Sequence, residues 1–590
     1  MTGPTSGSET NAATEASVPA GSLAAKSLFP FKLKIREERF VLLLSVFIGI
    51  FSGLGVVCFR ISIEWLSLHL LGYAPDHWRI LLAPAVTGLL IAVLVVHVFP
   101  TVRGSGVNQT KAALYIFDGY ISLRTAIGKF ITAALAIGSG QSLGPEDPSL
   151  QIGAALASAL GRKLKLSRDR LRLLAPVGAS AGLAAAFNAP ISAVLFVIEE
   201  VIGRWSAGVL GSVVLAAVSS VVVMRWFLGS APLFRIPAVQ LQHPAELLAY
   251  VVLGIVGGLA SVIFAKGIAK LRVQLKAAPR WSLYFQPAAA GLLIGLIGLC
   301  GAPQVMGAGY DFMDQALHNQ FTWQVMGVLA ALKILATTMS FVSGTPGGTF
   351  APTLFVGAML GGAVGGVEHI LFPQLTSSNA TYVLVGMGVL FAGFLRVPMT
   401  SVFMVLEVSG NYSIILPVMV ANTFAYLISR SLQPMPIFDL LNRQDGLDLP
   451  SMEEQREESV LRVEDAMQDA PSPILDGNDT VEAAAGQFSS TTSDRLLIRL
   501  HPVGWSSLTR EEMEAIMKLG KGEMPLGSLL PRTRIPFLHP DLPLDVALRY
   551  MGDSPLLPVV SRADFRDLQG VVSQEDVLDR YKEMDREPVD

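Results

Sequence analysis

The stretch GSGQSLGPEDPSLQIG, residues 138–153, lies in one of the most apolar parts of a chain whose mean hydropathy is +0.51, yet it carries two adjacent carboxylates, Glu146 and Asp147. Carboxylates flanked by Gly and Pro ordinarily mark a surface turn. A second copy of the pattern argues against that here. Ser139, Gly140, Pro148 and Gly153 recur with the same spacing as Ser343, Gly344, Pro352 and Gly357 in SGTPGGTFAPTLFVG, residues 343–357. Pro190 and Glu199 in NAPISAVLFVIEE recur in the same way as Pro398 and Glu407 in RVPMTSVFMVLE. The two offsets are similar, so the apolar part of the chain reads as two related halves. Repeated halves with interrupted helices place a substrate site near the membrane midplane between them.

The composition supports a membrane setting. Of 590 residues 51% are hydrophobic and 15% charged, against about 25% charged in an average soluble protein. Val41–Phe59, Leu81–Phe99, Leu247–Ala265 and Trp323–Val342 each reach the roughly 18–20 apolar residues needed to span hydrocarbon. Other apolar runs are shorter and broken by Gly or Pro, which predicts tilted, partial or re-entrant helices. Residues 1–30 read as a disordered tail without a cleaved signal peptide. Lys26, Lys32, Lys34, Arg36 and Arg39 precede the first span, and by the positive-inside rule they place the N-terminus in the cytoplasm. Cys58 and Cys300 both lie in apolar segments, read as packing residues, and imply neither a disulfide framework nor a thiolate metal site.

Apolar periodicity ends near Leu441, and Asp445–Ser459 is polar and acidic. This divides the chain into a membrane region, 31–443, a linker, 444–459, a soluble α/β region, 460–585, and a short tail, 586–590. In the α/β region, helical stretches such as Thr480–Phe488 and Leu544–Met551 alternate with β-like runs such as Leu496–Arg499, Leu557–Val560 and Gly570–Ser573.

Four stretches share one chemistry. GSGVNQ (104–109), GPEDPS (144–149), GGTFAP (347–352) and QPMPIF (433–438) each put Gly or Pro just ahead of an apolar run. Gly permits close backbone approach, and Pro fits the first helical turn, where its missing N–H is not needed. Each is therefore a candidate helix N-terminus inside the membrane. Several such ends converging on one point would bind an anion through unpaired N–H groups and the positive end of the helix dipole.

With these motifs in place the chain resembles the CLC family of chloride channels and proton-coupled chloride antiporters over roughly residues 35–443, with a pair of CBS-like domains after it. GSG at 104–106 is similar to the family's GSGIP, GPEDP at 144–148 to its GxEGP, and GGTFAP to its GxFxP; AAFNAPISAVLFVIEE, 185–200, is similar to the corresponding family helix throughout. The resemblance implies an all-α polytopic membrane protein of CLC type, an inverted repeat with broken and re-entrant helices, followed by a cytoplasmic α/β CBS pair. It implies a homodimer in the plasma membrane, both termini cytoplasmic, that moves chloride and protons, with no catalysis, metal or nucleic acid involved. The activity it implies is chloride/proton exchange with slippage; a passive channel gated by voltage or pH is the other reading within the family.

Carried over residue by residue, Ser105 and the N–H groups of Thr349 and Phe350 would hold the anion. Glu146 would be the gating glutamate, whose ionised carboxylate competes with the substrate, and Glu200 the internal proton glutamate. Glu199 and Glu200 otherwise read as a helix end at the water interface. Lys129 either supplies a positive field to the path or snorkels to the surface. Three departures stand out: Asp147 replaces the usual Gly after the gating glutamate, Asn108 the usual Pro, and Phe438 the Tyr expected at the central anion. In the C-terminal pair GVVSQED (570–576) looks like a ribose-holding motif, through Ser573 and Asp576, which leaves an adenine nucleotide open as a regulatory ligand; the first module, near Gly504–Glu512, is degenerate. An intramembrane metalloprotease is set aside because no HExxH occurs, and a divalent cation transporter because the polar membrane stretches offer amides and hydroxyls, not a carboxylate cage.

Overall fold

The computed structural model describes residues 37–73, 76–203, 207–234, 236, 243–447, 449, 461–470, 473–490, 495–500, 504–530, 535–551, 556–562 and 564–586. The N-terminal and C-terminal tails and most of the linker expected from the sequence lie outside these residues.

The first half of the membrane region runs α1 (Glu37–Leu70), α2 (His77–Val93), α3 (Gly106–Tyr115), α4 (Leu123–Gly138), α5 (Glu146–Lys163), α6 (Arg168–Phe187), α7 (Pro190–Phe196) and α8 (Ala207–Leu228). The second runs α9 (Leu247–Ala277), α10 (Gln286–Leu299), α11 (Tyr310–Leu317), α12 (Trp323–Val342), α13 (Phe350–Leu371), α14 (Asn379–Leu395), α15 (Pro398–Ser409), α16 (Ile415–Leu432) and α17 (Ile437–Gln444). Among the described residues seven helical segments are long and apolar enough to cross a membrane, including the four expected spans. Cys58 and Cys300 are exposed rather than packed inside. The apolar character that suggested a core position there belongs to the outward face of the bundle, where lipid replaces protein as the apolar neighbour.

The repeat is real in three dimensions. The turns after α4 and α12 meet: the Gly144 N–H donates to the Gly348 carbonyl and the Gly348 N–H to the Gly144 carbonyl, both at 2.8 Å. This pairing sets the N-termini of α5 and α13 side by side. Behind them each half uses glycine for backbone contact. A Cβ on Gly153 would lie 2.2 Å from the Gly178 carbonyl oxygen between α5 and α6, and a Cβ on Gly357 would lie 2.2 Å from the Gly386 carbonyl oxygen between α13 and α14. Small residues are what let helices pack this closely where no water drives association.

Charged side chains finish the ends that these breaks expose. Lys129 on α4, fully buried, donates to the carbonyls of Val102 (3.1 Å) and Gly104 (2.5 Å). Lys333 on α12, also fully buried, repeats the arrangement with Val305 (2.9 Å) and Gly307 (2.7 Å). Snorkelling is thereby excluded for Lys129, and the sequence reading had passed over Lys333. The carboxylates are exchanged between halves. Glu199, in a π-helical turn (Val197–Ile202) after α7, accepts from the Met399 N–H (3.2 Å), the Thr400 N–H (2.8 Å) and the Thr400 hydroxyl (2.6 Å) at the start of α15. Glu407 on α15 accepts from the Ile191 N–H (2.9 Å), the Ser192 N–H (2.7 Å) and the Ser192 hydroxyl (2.5 Å) at the start of α7. Glu199 is thus a buried cap, not a helix end in water.

The α/β region has a three-stranded sheet, β1 (Leu475–Asp476), β2 (Arg495–Arg499) and β3 (Trp505–Thr509), in which β1 is parallel and β3 antiparallel to β2. A second sheet pairs β4 (Leu556–Val560) antiparallel with β5 (Leu568–Ser573). Leu497, Trp505, Val560 and Val571 form one apolar cluster that joins the two sheets.

Hydrogen bonds to a charged group contribute about 1.5–3 kcal/mol each, and removing a capping carboxylate strands two N–H groups and a hydroxyl. Glu199→Ala and Glu407→Ala are each expected to destabilise the protein by at least about 2 kcal/mol, and the Gln replacements by less because an acceptor oxygen remains. Thermal unfolding of the purified variants in detergent checks the order.

Candidate anion pathway

All four stretches singled out by Gly and Pro begin helices: α3 after Ser105, α5 after Pro145, α13 after Thr349 and α17 after Pro436. Neither α5, α13 nor α17 has a side-chain cap from its own N-cap residue. Their first N–H groups are left for something else to satisfy. For α3 the cap is Ser105, whose Oγ accepts from the Val107 N–H at 3.1 Å.

The Ser105 hydroxyl proton is directed at Asp147: Oγ lies 2.9 Å from Oδ2. Asp147 is fully buried, and among the described residues its other oxygen, Oδ1, makes no hydrogen bond of full geometry. The carboxyl lies against the backbone of Gly348, where a Cβ would come within 2.8 Å of it. The Thr349 N–H faces the same carboxylate, and Lys129 is within electrostatic range. A Cβ on Gly106 would sit 2.3 Å from the Asp147 carbonyl oxygen, so the starts of α3 and α5 are in direct backbone contact. Ser105, Asp147 and Thr349 are therefore brought together at one point, where the starts of α3, α5 and α13 meet.

Glu146, also fully buried, turns toward α13. One of its oxygens accepts from the Tyr310 hydroxyl and the other from the Ala351 N–H at 3.3 Å. A Cβ at Gly144 would lie 2.2 Å from the second oxygen, so a larger residue there would push the carboxylate aside. Tyr310 and Pro145 line a cavity of about 420 Å³ together with Arg60, Glu64 and Asp311. Tyr310 carried no sequence signal, since it opens α11 far along the chain from the carboxylate it holds.

Phe350 and Phe438 meet edge to face with ring centroids 6.3 Å apart, in an aromatic group completed by Phe187, Phe196 and Phe391. Phe438 thus packs its ring against Phe350, the first residue of α13. Asn108, the residue in place of the usual Pro, donates from Nδ2 to the Phe438 carbonyl at 3.1 Å and ties α3 to α17.

Glu200 is buried and lies away from this point, in an ionic group that sequence reading missed. Lys111 on α3 bonds Asp439 on α17 at 2.7 Å and Glu200 at 3.2 Å, with all three side chains buried. A lone Lys and Asp in an apolar chain were the available signal, but nothing in local sequence pairs residues from α3 and α17. Ser573 and Asp576 belong to the α/β region. There the Ser573 hydroxyl and N–H both donate to the Asp576 carboxylate (2.5 and 2.8 Å), capping the helix Gln574–Arg586. Thr509 and Glu512 make the same cap after β3.

Helix N-termini gathered inside a membrane bundle are the arrangement of a class of membrane proteins that handle anions. Residues 87–430 match the family described as voltage gated chloride channel, and residues 526–583 match the CBS domain. The chain is 31% identical over 419 residues to a ClcB-like chloride channel protein of Ralstonia nicotianae, covering 68% of this chain and 97% of that one. It is 30% identical over 417 residues to the H(+)/Cl(-) exchange transporter ClcA of Salmonella arizonae, covering 68% and 88%. A crystal structure of a slow cyanobacterial Cl-/H+ antiporter superposes with a TM-score of 0.63 at 25% identity, covering 69% of this chain and 97% of that one. The chain belongs to the CLC family of chloride-transporting membrane proteins.

Breaking a buried ion pair by removing one partner costs about 3–5 kcal/mol. Lys111→Met is expected to destabilise the protein on that scale, because it takes the cation away from two buried carboxylates, and adding Asp439→Asn should recover part of the loss. A double-mutant cycle on thermal unfolding measures the coupling.

Proposed function

We propose that the protein exchanges chloride for protons, with Glu146 as the outer proton site and Glu200 as the inner one. The observation that carries this reading is the position of Glu146. A fully buried carboxylate accepts a backbone N–H at the start of α13 and a tyrosine hydroxyl beside a cavity, so it holds ground that an anion entering from the cavity must take. Ionised, the group competes with the anion; protonated, it yields, and the two movements are thereby linked. Ser105, the N–H groups of Thr349 and Phe350, and the aromatic wall at Phe438 form the inner anion position. Lys129 supplies positive potential to it.

Glu200 serves as the cytoplasmic proton station. Its pairing with Lys111, which also bonds Asp439, supports a charged residue held between α3 and α17. The setting is a homodimer in the plasma membrane with both termini cytoplasmic, residues 31–443 forming the transport domain and 460–585 the CBS pair. An adenine nucleotide at the CBS pair is the regulatory ligand, with Ser573 and Asp576 toward its ribose. Both side chains now cap a helix, so the nucleotide must share or displace that cap.

The passive-channel reading has one observation in its favour. Phe438 offers no hydroxyl to an anion, which weakens retention of the anion while protons move past. A neutral hydrogen bond contributes about 0.5–1.5 kcal/mol net, enough to loosen the site several-fold without abolishing it. We therefore expect exchange with slippage.

In liposomes with crossed gradients, a chloride gradient should drive protons uphill, and anion flux should rise as pH falls because protonation removes the Glu146 competitor. Glu146→Gln and Glu200→Gln should each pass anions while moving no protons, and Phe438→Tyr should lower the ratio of chloride to proton. Absence of uphill proton movement in the unmodified protein decides for the channel.

A further inference from the structure

The inner anion position is already filled by the protein. Its ligands on the present reading are the Ser105 hydroxyl and the start of α13, and both are turned on Asp147: the hydroxyl at 2.9 Å from Oδ2, the Gly348–Thr349 backbone against the carboxyl. The second oxygen, Oδ1, is buried and among the described residues makes no hydrogen bond of full geometry, although the Thr349 N–H faces the carboxyl. A side chain that served only to brace the two helix starts would be expected to satisfy both oxygens, as Glu199 and Glu407 do elsewhere in the fold. Asp147 instead sits as a chloride ion would, with negative charge facing a hydroxyl and a helix end.

We propose that Asp147 is a tethered anion occupying the Ser105 site, so that a transported chloride displaces two carboxylates in series, Glu146 first and Asp147 second. The proposal rests on the reading of Ser105 as an anion ligand, but not on whether transport is coupled or passive.

The surroundings of Asp147 determine what protonation does. Lys129 faces it from α4, and Glu146 precedes it on α5. Arg60 from α1 and Tyr310 from α11 act on Glu146. Lys111 of α3 is committed to Glu200 and Asp439. The charged residues of α6 lie in its first turns, 168–172, by the far end of α5, and those of α13 are Glu368 and His369 in its last turn. With Lys129 as a cationic neighbour, an ionised Asp147 is a strong competitor for the site. Once protonated it has no charge with which to oppose an anion, so acid opens the inner position independently of Glu146.

Two measurements on the purified full-length protein test this. Isothermal titration with chloride in detergent at neutral pH should show Asp147→Gly and Asp147→Asn binding about ten-fold more tightly, or more, than the unmodified protein. Adding Ser105→Ala to Asp147→Gly should reduce the gain, which a general loosening of the fold would not. In liposomes, Glu146→Gln should retain anion flux that rises with acid, and Glu146→Gln with Asp147→Asn should be flat with pH. Unchanged chloride affinity in both Asp147 variants, or a flat profile in Glu146→Gln alone, overturns the proposal. Proton pumping by the unmodified protein is a separate readout, so failure of the exchange reading would leave the binding result interpretable.

Discussion

Helices that start and stop inside hydrocarbon leave backbone N–H and C=O groups that no water can satisfy, and the membrane region is organised around supplying partners for them. Lys129 and Lys333 close carbonyls at corresponding points of the two halves. Glu199 and Glu407 close helix starts, each in the opposite half. The Gly144–Gly348 pair closes the turns where the halves touch. In a chain with few charges, several of those buried deepest are employed in this way, and because each carboxylate cap lies in one half and its donors in the other, the caps also lock the halves together.

The same chemistry separates structural from functional carboxylates. Glu199 receives three hydrogen bonds from one helix start, and hydrogen bonds to a charged group are strong enough that a fully satisfied cap has little reason to move. Glu146 and Asp147 are also buried against helix starts, but they are held less completely. Among the described residues Asp147 keeps one oxygen without a hydrogen bond of full geometry, and Glu146 draws one long backbone contact and a hydroxyl from a tyrosine that borders a cavity. On the proposed reading an anion takes the place of such groups, since helix-start N–H groups and hydroxyls donate to chloride from the same positions.

Toward Glu200 the problem is inverted. The ionic group of Lys111, Glu200 and Asp439 places one positive and two negative groups in a buried setting, so a proton added to or taken from Glu200 changes an existing balance and does not create an isolated buried charge. The group also links α3 with α17, the two helices joined by Asn108 and the Phe438 carbonyl. The proposed proton station and the proposed anion site thus share a connection through α3, whose first residue follows Ser105 and whose second turn carries Lys111.

The helix breaks and the duplication were legible in the chain because they depend on local chemistry: Gly for close approach, Pro at a first helical turn, and equal spacing in the two copies. The α/β character of the C-terminal region was legible for the same reason, through short alternating runs, although β3 and the helix after it were not read there. Partner choice was not legible. Glu199 and Glu200 are neighbours in sequence, yet one caps α15 and the other pairs with Lys111. Asp147 meets Ser105 across 42 residues, and Lys111 meets Asp439 across 328. The amino-acid order alone decided where helices begin inside the membrane; only tertiary packing decided which charge each beginning would meet, because a hydrogen bond is set by positions a few ångströms apart that spacing along the chain does not encode.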